Sequence, residues 1–166
     1  MERTTMRKAI RSPLLALALV LVFAGTVLAT ASTGFHPTIL ARGTLDESVH
    51  YNTGAVKFQT KGSVAFVNVT VTIDPLGNSG WHSHPGVVLV TVASGSLVVY
   101  DQNCVGTVHT AGTASSAFTE SGDEPGIVRN ESTTTPEVSM VTYIVPAGTP
   151  NTGLRIDKPA PSCTLP

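Results

Sequence analysis

Two histidines stand one residue apart in the segment Gly80-Trp81-His82-Ser83-His84-Pro85-Gly86. On an extended strand that spacing places both rings on the same face. A neutral imidazole offers one nitrogen lone pair, so two side by side can hold one divalent metal ion. The plainer reading is a pair of hydrogen-bonded or solvated histidines, and His82 and His84 need further donors to become a centre. Glu124 is one: with the two histidines it would form a two-His, one-carboxylate set with open positions. Pro125 interrupts that geometry, and Asp123-Glu124 more often means a solvated turn. Glu120 is a weaker version of the same idea. His109 joins the inner face if Val105 and Thr107 point inward, and is a surface residue if Val108 does. His36 and His50 read as surface residues. The sequence holds no nucleophile–base–orienter set, no phosphate loop and no GxSxG.

The elements that must position these residues are strands. Val and Thr dominate the chain after the first thirty residues, and β-branched side chains suit pleated sheets. No spacing of three and four is sustained, so no helix is expected. Strand-like runs cover 38–41, 56–58, 63–73, 80–84, 87–93, 96–100, 105–110, 117–120, 127–130 and 138–145. In 63–73 the apolar parity drifts from Val64 and Phe66 to Val67, Val69, Val71 and Ile73, which predicts a bulge near Phe66. Asp74-Pro75-Leu76-Gly77-Asn78 is turn chemistry. Many short strands with turns between them mean a sandwich or barrel. From Pro146 onward the chain is rich in Pro and Gly and reads as irregular. Trp81 alternates with the histidines, so it is expected to pack outside the barrel.

The N-terminal stretch reads differently. Arg3, Arg7, Lys8 and Arg11 precede an apolar run from Leu14 to Leu28, and Ala29-Thr30-Ala31 follows as a small-x-small site. That order is expected of a secretory signal peptide over 1–31, leaving a single domain over 32–166. The apolar run is short for a membrane span, so no membrane association is expected after cleavage. Six basic and ten acidic residues then remain, a net charge of −4, which argues against a nucleic-acid partner. Cys104 and Cys163 are the two cysteines. In an exported protein such a pair reads first as a disulfide, here tying the tail to a loop, and otherwise as two free thiols.

The segment around His82-Ser83-His84 resembles the first cupin motif, G(x)5HxH(x)3–4E(x)6G, with Gly95 at the closing glycine. Ile127 to Pro136 resembles the end of the second motif, with Asn130 at its Asn. The resemblance spans a core of about 38–158 and is to small, secreted, single-domain cupins of the type-2 kind. It implies an all-β fold, a single jelly-roll barrel, and a metal on the inner wall held by three His and one Glu. Here Val88 stands at the Glu position and Gly126 at the third His position, both facing the pocket. With half of that ligand set replaced, a divalent metal (Fe, Mn, Zn, Ni or Cu) is expected to bind weakly. The function expected first is a non-catalytic module for a small molecule in the barrel or a weak metal. The alternative is a metal-dependent enzyme, dioxygenase- or isomerase-like, with a non-standard ligand set. A third reading is an assembly domain, and a homodimer is implied by resemblance alone.

Overall fold

The computed structural model describes residues 29–166. The basic and apolar parts of the leader expected over 1–31 lie outside the described residues. The described residues form strands joined by turns and loops, and their single helical element is one short 3-10 turn at Asn151–Gly153. Its strands are β1 (Thr33–Leu45), β2 (His50–Thr53), β3 (Val56–Gln59), β4 (Val64–Asn78), β5 (His82–Ser83), β6 (Val87–Ser94), β7 (Ser96–Tyr100), β8 (Gly106–Thr110), β9 (Ala117–Glu120), β10 (Ile127–Arg129), β11 (Glu137–Pro146) and β12 (Ile156–Asp157). The main sheet runs β8-β7-β10-β4-β11-β6-β9, with β1 added on β4, and every pairing is antiparallel. It curls into a nearly closed barrel, the all-β architecture that the resemblance implies.

Alternation explains the curl. Ala65, Val67, Val69, Val71 and Ile73 of β4 are buried, as are Val88, Val90 and Val92 of β6 and Val141, Tyr143 and Val145 of β11. Each fully buried Val or Ile contributes roughly 1.5–3 kcal/mol, so a one-residue slip of register would expose a whole row at once. No parity change occurs at Phe66. The odd-numbered residues of β4 face inward from Ala65 to Ile73, and Phe66 is apolar because it meets Phe58 of the β2–β3 hairpin, ring centroids 6.3 Å apart. The turn expected at 74–78 is also absent. The segment continues β4, and its irregularity is a left-handed Leu76, φ 62°, opposite a register shift in β1. Asn130 stitches this end together: its side-chain amide reaches the carbonyls of Ile73 and Thr135, at 3.0 and 2.8 Å.

The tail is more ordered than its composition predicts. Arg42 of β1 holds it through the carbonyls of Ala147 and Thr149 and the side chain of Asn151. β12 then pairs with β5, Ile156 opposite Ser83 and Asp157 opposite His82. Cys104 and Cys163 form a disulfide across 59 residues. Beneath it Trp81, Val98, Tyr100 and Ile127 make a second apolar cluster, with Cys104 and Leu165 packed against it. Trp81 thus lies on the outer side of the barrel wall, under the tail.

Candidate metal centre

β5 is two residues long, yet it is held on both edges. On one side His82 exchanges both backbone hydrogen bonds with Gly126, at 2.9 Å each. On the other lies β12. The backbone N–H of His84 donates to the carbonyl of Gly122 at 2.8 Å. Both rings are turned inward and buried, with centroids 4.7 Å apart and nearly perpendicular planes.

The second nitrogen of each ring is already spoken for. Nδ1 of His82 lies 2.9 Å from the carbonyl oxygen of Gly80, and Nδ1 of His84 lies 2.6 Å from that of Leu154. A carbonyl can only accept, so each Nδ1 carries the proton and donates. The lone pair of each neutral ring is then at Nε2. This is how imidazole ligands are oriented in metal sites, with the far nitrogen fixed by a backbone or carboxylate acceptor. Burial lowers the pKa of His82 to about 4, despite the opposing pull of Glu120, so its ring stays neutral and available near pH 7.

Glu120 supplies the third donor. β9 pairs antiparallel with β6, and Glu120 sits directly opposite Val88. The carboxylate therefore enters the barrel from the neighbouring strand, level with the position where the cupin motif places its Glu. Its Oε2 lies 2.9 Å from Nε2 of His84. One ligand atom each from His82, His84 and Glu120 fall within 4.8 Å of one another, the one such grouping of three among the described residues.

The contact between His84 and Glu120 tests whether these residues fit an ion. Nε2 of His84 is buried and has no properly directed hydrogen-bond partner, although a carboxylate oxygen is 2.9 Å away. With Nδ1 donating to Leu154, Nε2 meets the carboxylate either as a second N–H in a charged pair or as a lone pair. Either a second proton or a cation must stand between them, and a divalent ion satisfies all three donors together. Burial pushes the Glu120 carboxyl up, but its contact with His84 holds it below the ordinary value, so it is ionised as a ligand must be. Two neutral imidazoles and a carboxylate suit Zn, Mn, Fe, Ni or Cu rather than Ca.

Space around the three ligands is unequal. Inside the barrel the cavity is about 40 Å³, walled by Val88, Val90, Leu97, Val128 and Val141. Since about 10–15 Å³ of such volume holds one water, it admits a few waters and no large ligand. Two adjoining cavities also reach the histidines. One of about 170 Å³ is lined by Phe35, Ile39, Tyr143 and Arg155, and the other of about 310 Å³ by Tyr100, Asp101, Glu124 and Gly126. Burial first, then the charge of Glu120, pushes the Tyr143 hydroxyl up to about 12, so it is a neutral phenol beside His84, ring centroids 5.3 Å apart.

The other residues singled out in the sequence fall as follows. His109 faces inward with Val108 outside, but its Nδ1 donates to the carbonyl of Ser115 at 2.7 Å and its ring packs on Phe118, away from the cluster. Glu124 is exposed on the rim of the larger adjoining cavity. Val88 is buried beside Glu120. Gly126 is not left-handed, and a Cβ there would meet only the Tyr100 carbonyl, at 3.4 Å. Glu120, in the sequence a weaker alternative to Glu124, is the carboxylate that joins the histidines; Phe118 shares its parity and marks the inner face. Two further contributors leave no sequence signal. The Leu154 carbonyl lies in a tail that composition reads as irregular. Glu137, on the inner wall, heads a strand whose pattern gives no sign of a buried carboxyl.

No protein-family model matches the chain, and no curated protein does. Solved structures do resemble it. A cupin domain from Bordetella pertussis is 20% identical, with 67% of this chain and 93% of that one covered and a TM-score of 0.44. An RmlC-like cupin from Shewanella frigidimarina is 17% identical, with 69% and 78% covered and a TM-score of 0.45. A sugar phosphate isomerase of the cupin superfamily from Silicibacter pomeroyi is 23% identical, with a TM-score of 0.39; the match covers 46% of this chain and 48% of that one, about half its length. These are likenesses of architecture, and no ligand or activity comes with them.

Proposed function

We propose that this protein is an exported barrel that binds one divalent transition-metal ion through His82, His84 and Glu120 and presents it to a small molecule held in the adjoining cavities. The observation that carries the reading is the convergence of one ligand atom each from His82, His84 and Glu120 within 4.8 Å of one another, with both imidazoles held by backbone carbonyls at Nδ1. Export is supported by the Cys104–Cys163 disulfide, since such bonds persist in oxidising compartments. Among the described residues, no helix is long and apolar enough to cross a membrane.

A second reading, a metal-dependent enzyme, is favoured by the donor set. Three protein ligands leave positions open on an ion that prefers four to six, and such sets serve oxygenases and hydrolases. Glu120 removes one of the two gaps that spoke for weak binding. In this reading the ion would act as a Lewis acid or redox centre, while Tyr143 and Arg155 border one route of approach.

Metal analysis of the purified protein with titration of Zn²⁺ and Mn²⁺ tests the site. His82→Ala, His84→Ala and Glu120→Ala should each abolish stoichiometric binding, whereas Glu124→Ala and His109→Ala should leave it intact. Binding that survives loss of Glu120 would refute the assignment.

A further inference from the structure

The charge of the proposed centre does not balance. Two neutral imidazoles and one carboxylate leave a divalent ion with one uncompensated positive charge, in a barrel walled by Val, Leu and Ile. An unpaired buried charge is expensive in such surroundings.

A second carboxyl lines the same cavity. Glu137, the first residue of β11, is fully buried, 0% exposed, and points inward with Ser139, Val141 and Tyr143. The Ser139 hydroxyl donates to its Oε1. Its Oε2 is buried and has no partner, one of two such side-chain atoms among the described residues. The other is Nε2 of His84, in the proposed centre. Nothing in the fold calls for a carboxyl at this place. Ile73 lies directly opposite on β4, and Phe35, Leu97 and Val128 wall the cavity from β1, β7 and β10. The titratable groups sharing the cavity are His82 and His84 of β5, Glu120 of β9 and Tyr143 of β11 itself. Asp74 and His36 pair with each other on the outer surface of β4 and β1.

We infer that Glu137 is the charge-balancing group of the centre: when a divalent ion occupies His82, His84 and Glu120, the Glu137 carboxyl gives up its proton to solvent, and the resulting anion neutralises the remaining charge from across the cavity. The inference rests on the metal site proposed above. Burial, opposed only by the Ser139 hydrogen bond, raises the Glu137 pKa to about 7, so much of it is protonated in the metal-free protein near neutrality. An arriving dication favours the ionised form. The proton is lost as O–H cleavage at the carboxyl, and no redox change is involved. The cavity has room for the few waters that would relay it.

Calorimetric titration of the full-length protein with Zn²⁺, in buffers of different ionisation enthalpy, counts protons released per ion. At pH 6 the wild type should release about one proton more than Glu137→Gln, which keeps the shape but cannot ionise. Ser139→Ala removes the hydrogen bond that favours the anion. It should move the extra release to higher pH and weaken Zn²⁺ binding at pH 7. Equal proton counts for wild type and Glu137→Gln, with Zn²⁺ bound by both, would overturn the role of Glu137 and leave the metal site standing. Absence of Zn²⁺ binding by the wild type would remove both. If Glu137→Gln does not fold, the wild type and Ser139→Ala decide: identical release profiles against pH overturn the inference.

Discussion

Gly126 and His82 are a directly opposed, hydrogen-bonded pair, so any side chain at 126 would share the inner face with the imidazole. The backbone there is not left-handed and a Cβ has room, which removes the strain that a glycine at a ligand position raises as a concern. Gly126→His should therefore add a fourth donor and tighten Zn²⁺ binding by on the order of tenfold or more, read by titration. Val88→Glu should not help. Val88 already faces Glu120 across the strand pair, and two carboxylates directly opposed repel. Pairing the two changes is thus worse than Gly126→His alone. The same inner wall sets the pH behaviour of the metal-free fold. The His82 pKa falls from 6.5 to about 4, so its neutral form is favoured by folding and stability is lost as pH falls from 6.5 toward 4. The Glu137 pKa rises from 4.5 to about 7, so stability is lost as pH rises from 4.5 toward 7. Each swing amounts to about 3 kcal/mol and the two oppose, so the wild type should vary little between pH 4.5 and 6.5. Glu137→Gln removes one slope. Denaturant midpoints of that variant should climb with pH from 4.5 to 6.5; a profile parallel to the wild type would show that Glu137 does not titrate in this range.

At the scale of elements, the centre depends on how two glycines let loops touch. A Cβ at Gly86 would lie 2.1 Å from the Ile144 carbonyl oxygen, and one at Gly122 would lie 2.5 Å from the Gly86 carbonyl oxygen. Gly122 is also left-handed, φ 92°, and its carbonyl accepts from the N–H of His84. The turn after β5 and the turn after β9 therefore pack backbone against backbone, which sets the spacing of His84 from Glu120. Gly122→Ala should push them apart, weakening Zn²⁺ binding more than it lowers thermal stability, because strain of this kind costs roughly 1–3 kcal/mol and is concentrated at the site. Equal loss of both would mean a general folding defect. These contacts mark the limit of what the sequence discloses. Alternation along β4, β6 and β11 is written in Val and Thr, and it discloses an all-β barrel with His82 and His84 on one inner face. Glu120 is harder to read because β9 is only four residues long, and its inward parity rests on Phe118 alone. That β9 lies beside β6, with Glu120 at Val88, is a pairing across 32 positions that no local pattern encodes. The supposed turn at 74–78 fails for a related reason. Pro and Gly are tolerated in β4 where the ladder is already broken by a left-handed residue and a register shift.

Over the whole molecule the centre is tied to the C-terminus, and the disulfide is the tie. The chain runs from β11 through the Arg42 clamp to Leu154, whose carbonyl fixes the His84 ring, then through β12 beside β5, and ends near Cys163. Cys163 joins Cys104 on the loop before β8, closing about 60 residues. In the chain-entropy model that closure contributes about 4 kcal/mol, a large share of the stability of a domain this size. The contribution is not spread evenly, since the sheet pairings of β4, β6 and β11 do not depend on the tail. What does depend on it is the cover over Trp81 and the β5–β12 pairing. Reduction, or Cys104→Ser with Cys163→Ser, should therefore loosen the tail before the barrel opens. Trp81 is the only tryptophan and is 3% exposed, so its fluorescence reports the first event without interference. The expected result is a red shift of Trp81 emission at denaturant concentrations that leave the far-ultraviolet strand signal intact, together with weaker Zn²⁺ binding as His84 loses the carbonyl that orients it. Calcium or magnesium in place of zinc should show little effect in the same titration, because imidazole contributes little to their affinity. Coincident loss of the Trp81 and strand signals would mean that tail and barrel form one cooperative unit, and that the disulfide stabilises the whole rather than the wall that carries the histidines.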